Sequence, residues 1–128
     1  RRLREPLEGA ERGMLLETLV FQELRAQVAY SGCGGEISYY RTPSGTEVDF
    51  VWSRGKLAVG IEVKASLRWR PEYGRALADL HGIGVLTRCW GVYLGETPLV
   101  DGSVRVLPLR AFLGELAAGR VLAQAKRR

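Results

Sequence analysis

Residues 45–66 read GTEVDFVWSRGKLAVGIEVKAS, which is the pattern of two strands on either side of a tight turn. From Thr46 to Ser53, apolar and charged side chains alternate as they do in a half-buried strand. Gly55 lies in the short polar segment that follows, where a glycine can adopt positive φ. From Leu57 to Ala65 the alternation resumes. The stretch therefore predicts an antiparallel hairpin around which the rest of the chain is arranged.

The charged residues of this hairpin indicate a functional site. The alternation predicts one apolar face on the first strand, made of Val48, Phe50 and Trp52. Asp49, Glu62 and Lys64 fall on the faces that the alternation marks as outside the core, and we expect them to converge at one edge of the sheet. Two adjacent carboxylates repel unless a positive group lies between them, and Mg²⁺ binds carboxylate oxygens and water. A lysine beside such an ion is suited to stabilising charge on a phosphate.

These residues resemble the active-site signature of the PD-(D/E)xK nuclease superfamily, which includes restriction endonucleases and resolvases. Asp49 is followed, after twelve residues, by Glu62-Val63-Lys64. The proline that often precedes the aspartate is replaced here by Val48. Three segments are also similar to the uncharacterised C-terminal domain that follows an AAA-type P-loop ATPase module in many bacterial and archaeal proteins. They are Gly13-x3-Glu17, Glu47-Val48-Asp49-Phe50 and Ile61–Ser66, and the resemblance covers about residues 11–115.

The resemblance implies an α/β fold with a restriction-endonuclease-like core. Its expected parts are a long first helix, a central mixed sheet of about five strands, a crossover helix and a C-terminal helix. It implies Mg²⁺ (or Mn²⁺) bound by Glu17, Asp49 and Glu62, and a catalytic set of these three residues with Lys64 that hydrolyses phosphodiester bonds. The implied partners are nucleic acid, DNA in preference to RNA, and an N-terminal ATPase module outside this chain.

The first helix is predicted from about Glu11 to Tyr30. Apolar residues recur there at helical spacing, at Leu16, Val20, Leu24 and Val28. Glu17 and Glu23 both fall within the apolar arc, so periodicity alone does not separate them. The match to Gly13-x3-Glu17 selects Glu17, and the alternative is an acid at the margin of the stripe with its carboxylate in water.

The remaining elements follow from shorter patterns. A strand is expected at 36–42, and a helix that begins at Pro71 and ends near His81 is expected to cross over to a parallel strand at 88–94. A strand at 103–107 is expected to form a hairpin with the strand before it, and Pro108 begins a last helix. The predicted domain spans 11–118, with a linker or the tail of a preceding module at 1–10 and a basic tail at 119–128.

A basic and aromatic cluster follows the hairpin. Its members are Arg68, Trp69, Arg70 and Arg75. Such a combination is suited to contact phosphates and bases, so these residues are candidate nucleic-acid ligands. The alternative is an ordinary solvated loop and helix face.

Composition limits the class of protein. The chain has 128 residues, which suits one domain, and its net charge of +5 permits a nucleic-acid partner without requiring one. His81 is the only histidine, and Cys33 and Cys89 lack metal-ligand spacing, which excludes the common zinc sites and histidine triads. The thiols are expected to be reduced in a cytoplasmic protein.

Several motifs are missing from the sequence. There is no apolar run long enough to cross a membrane, so no membrane partner is expected. No P-loop motif occurs, which places any ATPase outside this chain. The chain does not begin with methionine, and we expect it to be part of a longer protein.

Two alternatives to a nuclease remain open at this point. The domain could be a catalytically inactive module that binds nucleic acid or protein and regulates an attached ATPase. Alternatively, Asp49, Glu62 and Lys64 could form a structural ion-pair cluster, which would need no magnesium. The sequence permits an oligomer and leaves open whether the substrate is single- or double-stranded and whether cleavage is internal or terminal.

Overall fold

A six-stranded mixed sheet with α-helices on both faces forms the centre of the computed structural model, which describes residues 9–122. The predicted linker at 1–10 and basic tail at 119–128 therefore fall largely outside the described residues, at positions 1–8 and 123–128. The elements in chain order are α1 (Gly9–Ser31), β1 (Glu36–Arg41), β2 (Glu47–Arg54), β3 (Leu57–Lys64), a 3₁₀ turn (Pro71–Gly74), α2 (Arg75–Gly82), β4 (Arg88–Tyr93), β5 (Leu99–Asp101), β6 (Val104–Pro108) and α3 (Leu109–Ala117). The strand order across the sheet is β1-β2-β3-β4-β6-β5. The chain therefore has the predicted α/β class.

The hairpin and the crossover are confirmed. β2 and β3 pair antiparallel across the turn at Gly55, whose φ is +60°. β3 and β4 pair parallel, and the 3₁₀ turn and α2 form the connection between them. No helix within residues 9–122 combines the length and apolarity needed to cross a bilayer.

The expected pairing of the last strands is wrong. β6 runs parallel to β4, and its hairpin partner is the short strand β5, which no sequence pattern predicted. The Asp101-Gly102 pair forms the turn between β5 and β6, with Gly102 at φ +60°. A three-residue strand is too short to show an alternation pattern, so β5 was missed and the sheet has six strands where about five were expected.

Both faces of the sheet are buried. On one face, α1 and α3 pack on a cluster that includes Trp52, Ile61, Trp90 and Phe112. On the other face, α2 packs on a cluster that includes Val51, Leu77, Leu86 and Val106. The face of β3 that carries Glu62 and Lys64 is therefore not outside the core, as the alternation implied, because α2 and the 3₁₀ turn lie over it. A central strand with helices on both sides has no solvent face.

Val48 lies on the opposite face from the one predicted. It packs with Val51 in the α2-side cluster, whereas Trp52 and Phe50 pack on the α1 side. The cause is a β-bulge: Tyr40 is paired with Val48 and Ser38 with Val51, so two residues of β2 oppose one residue of β1. The extra residue breaks the strict alternation on which the sequence prediction depended.

The C-terminal boundary of the core lies beyond the predicted residue 118. Val121 and Leu122 are buried in the cluster beneath α1 and α3. The guanidinium of Arg88 donates hydrogen bonds to the carbonyl oxygens of Arg120 at 2.9 Å and Val121 at 3.5 Å. These residues therefore belong to the domain and not to the tail.

Gly91 in β4 allows the indole of Trp69 to pack directly on the sheet. A Cβ at Gly91 would lie 2.6 Å from the nearest carbon of that indole. The ring cannot easily move, because its Nε1 donates a hydrogen bond to Asp101 Oδ2 at 3.0 Å and its faces meet Tyr73 and Tyr93 edge-on.

We predict that Gly91→Ala lowers the free energy of unfolding by about 1–3 kcal/mol, because the added methyl overpacks this contact. Gly13→Ala is the matched control: no atom lies within 4 Å of a Cβ at that position in α1. The control should raise stability by about 0.5–1 kcal/mol, since alanine is the better helix former. Urea denaturation of the three proteins measures both effects, and the same sign for both variants would contradict the packing described here.

Candidate active site

The site lies where the β2–β3 ladder ends. The paired residues run from Arg54 and Leu57 to Phe50 and Ile61. Beyond this pair, side-chain carboxylates accept the hydrogen bonds in place of backbone carbonyls. The backbone N–H of Asp49 donates to Glu62 Oε1 at 3.3 Å, and the N–H of Val63 donates to Asp49 Oδ2 at 2.7 Å. Each carboxylate thus accepts a backbone hydrogen bond from the opposite strand. We call this arrangement of Asp49, Glu62 and Val63 the carboxylate fork.

The β-bulge sets the direction of Asp49. Asp49 and Phe50 are the two residues of β2 that lie opposite Tyr39. Phe50 stacks on Phe21 of α1, with ring centroids 5.6 Å apart, while Val48 lies on the α2 side. Bulges are common beside functional sites, where they redirect one side chain. Here the bulge lets Asp49 reach across to β3 instead of lying flat on one face.

Lys64 lies beside the carboxylate fork. Its Nζ lies 3.5 Å from Glu62 Oε2 and 5.0 Å from the ring centroid of Tyr73. The Lys64 side chain is 36% exposed, whereas that of Glu62 is 11% exposed. The ammonium group is therefore held between a buried carboxylate and an aromatic face while it remains open to solvent. No pattern in the sequence identified Tyr73 as a site residue, because its position depends on the 3₁₀ turn.

The electrostatics of the fork are dominated by burial. The pKa of Glu62 is raised from 4.5 to about 7, first by burial and then by the charge on Asp49, and Lys64 offsets only part of these two effects. Burial also raises the pKa of Asp49 above its ordinary value, despite the hydrogen bond from Val63 and the charge on Lys64. Two carboxylates with one lysine leave excess negative charge, which a proton or a cation would offset.

Glu17 is the closer of the two acids considered on α1. It is half-buried, and its pKa is raised first by burial and then by the charge on Asp49. Glu23 is exposed and lines a different cavity, with Leu113 and Leu116. However, no group of three or more Asp, Glu, His or Cys residues among residues 9–122 is placed to hold a metal ion. Glu17 therefore lies beside Asp49 without completing a three-carboxylate set.

The fork opens into a cavity of about 440 Å³ between α1 and the first two strands. Its lining residues are Glu17, Tyr39, Tyr40, Arg41, Glu47, Val48, Asp49 and Phe50. Asp49 is the member of the fork that lines this cavity, and a space of this size beside its carboxylate can admit a polar ligand. Tyr39 and Arg41 were not predicted as site residues: aromatics in this strand could stack on bases, but partly buried strand tyrosines are the more common explanation.

The four candidate nucleic-acid ligands differ in the structure. Arg68, Arg70 and Arg75 are exposed, as phosphate ligands must be. Trp69 packs inward against Gly91, with its indole nitrogen bonded to Asp101. Its ring therefore stabilises the α2-side layer and is not presented as a surface for base stacking.

We predict a pH-dependent stability that originates in Glu62. Its pKa in the folded protein is raised to about 7, so its contribution to stability is fully present below about pH 4.5 and is lost as the pH rises through about 7. Glu62→Gln keeps an oxygen that can accept the Asp49 N–H bond but does not ionise. The free energy of unfolding of the variant, relative to that of wild type, should therefore rise by about 2–3 kcal/mol between pH 5 and pH 8. Urea denaturation in buffer with EDTA measures this, and parallel stability profiles for the two proteins would contradict it.

Comparison with known proteins gives a family for the chain. The family described as a domain of unknown function, DUF4143, matches residues 12–112. This match includes most of α1, the hairpin, the crossover and β6, and it ends within α3. No curated protein matches the chain. Since the matched segment covers most of the sequence and contains the whole carboxylate fork, the chain belongs to the DUF4143 family.

Proposed function

We propose that this domain is a divalent-cation-dependent phosphodiesterase of the PD-(D/E)xK nuclease type that acts on nucleic acid. The observation that supports this proposal best is the carboxylate fork itself. At the open end of the hairpin, the carboxylate of Glu62 accepts a hydrogen bond from the Asp49 N–H, that of Asp49 accepts one from the Val63 N–H, and Lys64 lies 3.5 Å from Glu62. Two carboxylates and a lysine beside a cavity are the groups that metal-assisted hydrolysis of a phosphodiester needs.

The donor set fits Mg²⁺ or Mn²⁺. Asp49 Oδ1 accepts no hydrogen bond from the described residues, and the two contacts of Glu62 are long, at 3.3 Å and 3.5 Å. Oxygens held so loosely can exchange these partners for a cation. Mg²⁺ is commonly bound by one or two carboxylates, with waters and substrate phosphate as the other ligands. Two carboxylates and an open cavity are therefore sufficient.

The roles of the side chains follow from their positions. Asp49 and Glu62 would hold the cation, and Glu17 would add negative charge at the α1 side of the site. A bound divalent cation would lower the pKa of a water ligand and offset the charge of the phosphate. Lys64, fixed by Glu62 and the Tyr73 ring, would orient the attacking water and stabilise the charge that develops on the phosphate oxygens.

We also propose partners for this domain, namely nucleic acid and an ATPase module. Arg68, Arg70 and Arg75 would contact phosphates along the nucleic acid, with DNA preferred to RNA. The domain would act in the cytoplasm as the C-terminal part of a longer protein with an AAA-type ATPase module. These points rest on the resemblance of the motifs.

The first test is cation binding by calorimetry. We predict that the wild-type protein binds Mg²⁺ or Mn²⁺ in a carboxylate-dependent manner and that Asp49→Asn weakens binding at least about tenfold, because the amide removes a charged ligand. Glu36→Gln is the matched control, since Glu36 lies on the neighbouring strand, is exposed and does not line the cavity at the fork. Equal affinities for Asp49→Asn and wild type, or no binding at millimolar metal, would contradict the proposed site.

The second test is cleavage. With Mn²⁺ or Mg²⁺ present, we predict hydrolysis of a nucleic-acid polymer and a loss of about 10²-fold or more in kcat for Lys64→Met, with cation affinity retained. Single- and double-stranded DNA and RNA are the substrates to compare. Cation binding without cleavage of any of these substrates would instead favour the catalytically inactive binding module.

A further inference from the structure

A continuous groove extends from the carboxylate fork along the seam between α1 and the edge strand β1. The 440 Å³ cavity at the fork shares Glu17, Tyr39 and Phe50 with a second cavity of about 560 Å³. The second cavity shares Phe21 and Ile37 with a third, of about 470 Å³, that reaches Gly35. These shared residues join the three cavities into one surface feature, which we call the seam groove.

The middle of the seam groove is aromatic. Phe21 and Phe50 stack nearly parallel, with an interplanar angle of 20°, and together form an apolar wall. Tyr39, which is 69% exposed, lines the same cavity. Flat π surfaces that are open to solvent are the groups on which bases stack in proteins that bind single strands.

Each end of the seam groove carries an arginine. Arg25 is exposed, lines the cavity at the Gly35 end, and lies with its guanidinium carbon 5.7 Å from the Phe21 ring centroid. Arg41 lines the cavity at the fork and lies 5.7 Å from the ring centroid of Tyr39. Its ion pair with Glu47, at 3.4 Å, is exposed and therefore weak enough to be exchanged for a phosphate.

We propose that the seam groove binds an unpaired base of a single-stranded nucleic acid, with the base against Phe21, Phe50 and Tyr39 and the flanking phosphates at Arg25 and Arg41. This inference rests on the proposed function and names its substrate class, a single strand or a locally unpaired one. A base inside a duplex cannot reach such a groove without leaving its stack. An apolar peptide would fit the rings but would offer no anion to either guanidinium group, whereas phosphates would, so the charges favour nucleic acid.

Binding measured in the absence of cleavage tests the seam groove separately from the proposed nuclease activity. Fluorescence anisotropy in EDTA would use an oligothymidylate of about ten nucleotides, an abasic strand of the same length and a duplex. We expect the wild-type protein to prefer the oligothymidylate. Tyr39→Ala should weaken that binding about 5- to 100-fold, because it removes one stacking surface, and should leave binding of the abasic strand unchanged. The matched control is Tyr30→Ala, since Tyr30 is 90% exposed but lies outside the groove.

The arginines give an independent readout. Arg41→Ala should reduce the slope of log affinity against log salt by about one, as expected for one lost phosphate contact. Arg110→Ala, an exposed arginine on α3, is the control and should leave the slope unchanged.

Three results would overturn the inference: no binding of oligothymidylate, equal losses for the Tyr39 and Tyr30 variants, or equal affinity for the base-bearing and abasic strands. Tyr39-dependent binding by a protein that cleaves no substrate would support base binding in the seam groove and contradict the proposed nuclease function. Cleavage that does not depend on Tyr39 would support the nuclease function and contradict base binding in the groove.

Discussion

The candidate site of this domain depends on two carboxylates at the end of a hairpin, that of Glu62, which is buried, and that of Asp49, which is half-buried. Asp49 and Glu62 remain there because each accepts a backbone hydrogen bond that an ordinary ladder would give to a carbonyl. These bonds hold the side chains in place but do not neutralise them, and Lys64 supplies only one positive charge. The raised pKa of Glu62 is the consequence, and under the proposed function a proton would compete with the cation for the fork.

The rest of the fold supports the fork from both faces of the sheet. On the α1 side, Phe21 and Phe50 stack beside the bulge and leave the groove that leads to Asp49. On the α2 side, Trp69 packs on Gly91 and contacts Tyr73, whose ring in turn faces the ammonium of Lys64. The inward packing of the tryptophan therefore serves the position of the lysine. A change in the layer beneath the 3₁₀ turn would be felt at the site.

Sequence reasoning predicted the parts of this arrangement that follow from local patterns. The hairpin follows from alternation and a glycine turn, and the parallel crossover follows from the helix that begins near Pro71. Glu17 was selected over Glu23 by motif alone, and the structure places it beside Asp49. The bulge was not predictable, because it depends on how β1 pairs with β2, and no pattern within β2 announces it. The inward packing of Trp69 likewise depends on Gly91, which lies in a strand across the sheet.

The most direct measurement is paramagnetic broadening of backbone amide resonances by Mn²⁺ in the ¹⁵N-labelled protein. Substoichiometric Mn²⁺ should broaden the amides of Asp49 and Val63 first, because both hydrogen-bond to the carboxylates proposed to hold the cation. Mg²⁺ should shift the same resonances without broadening them. Broadening that begins at exposed acids such as Glu72 and spares the fork would contradict the claim that the fork is a cation site.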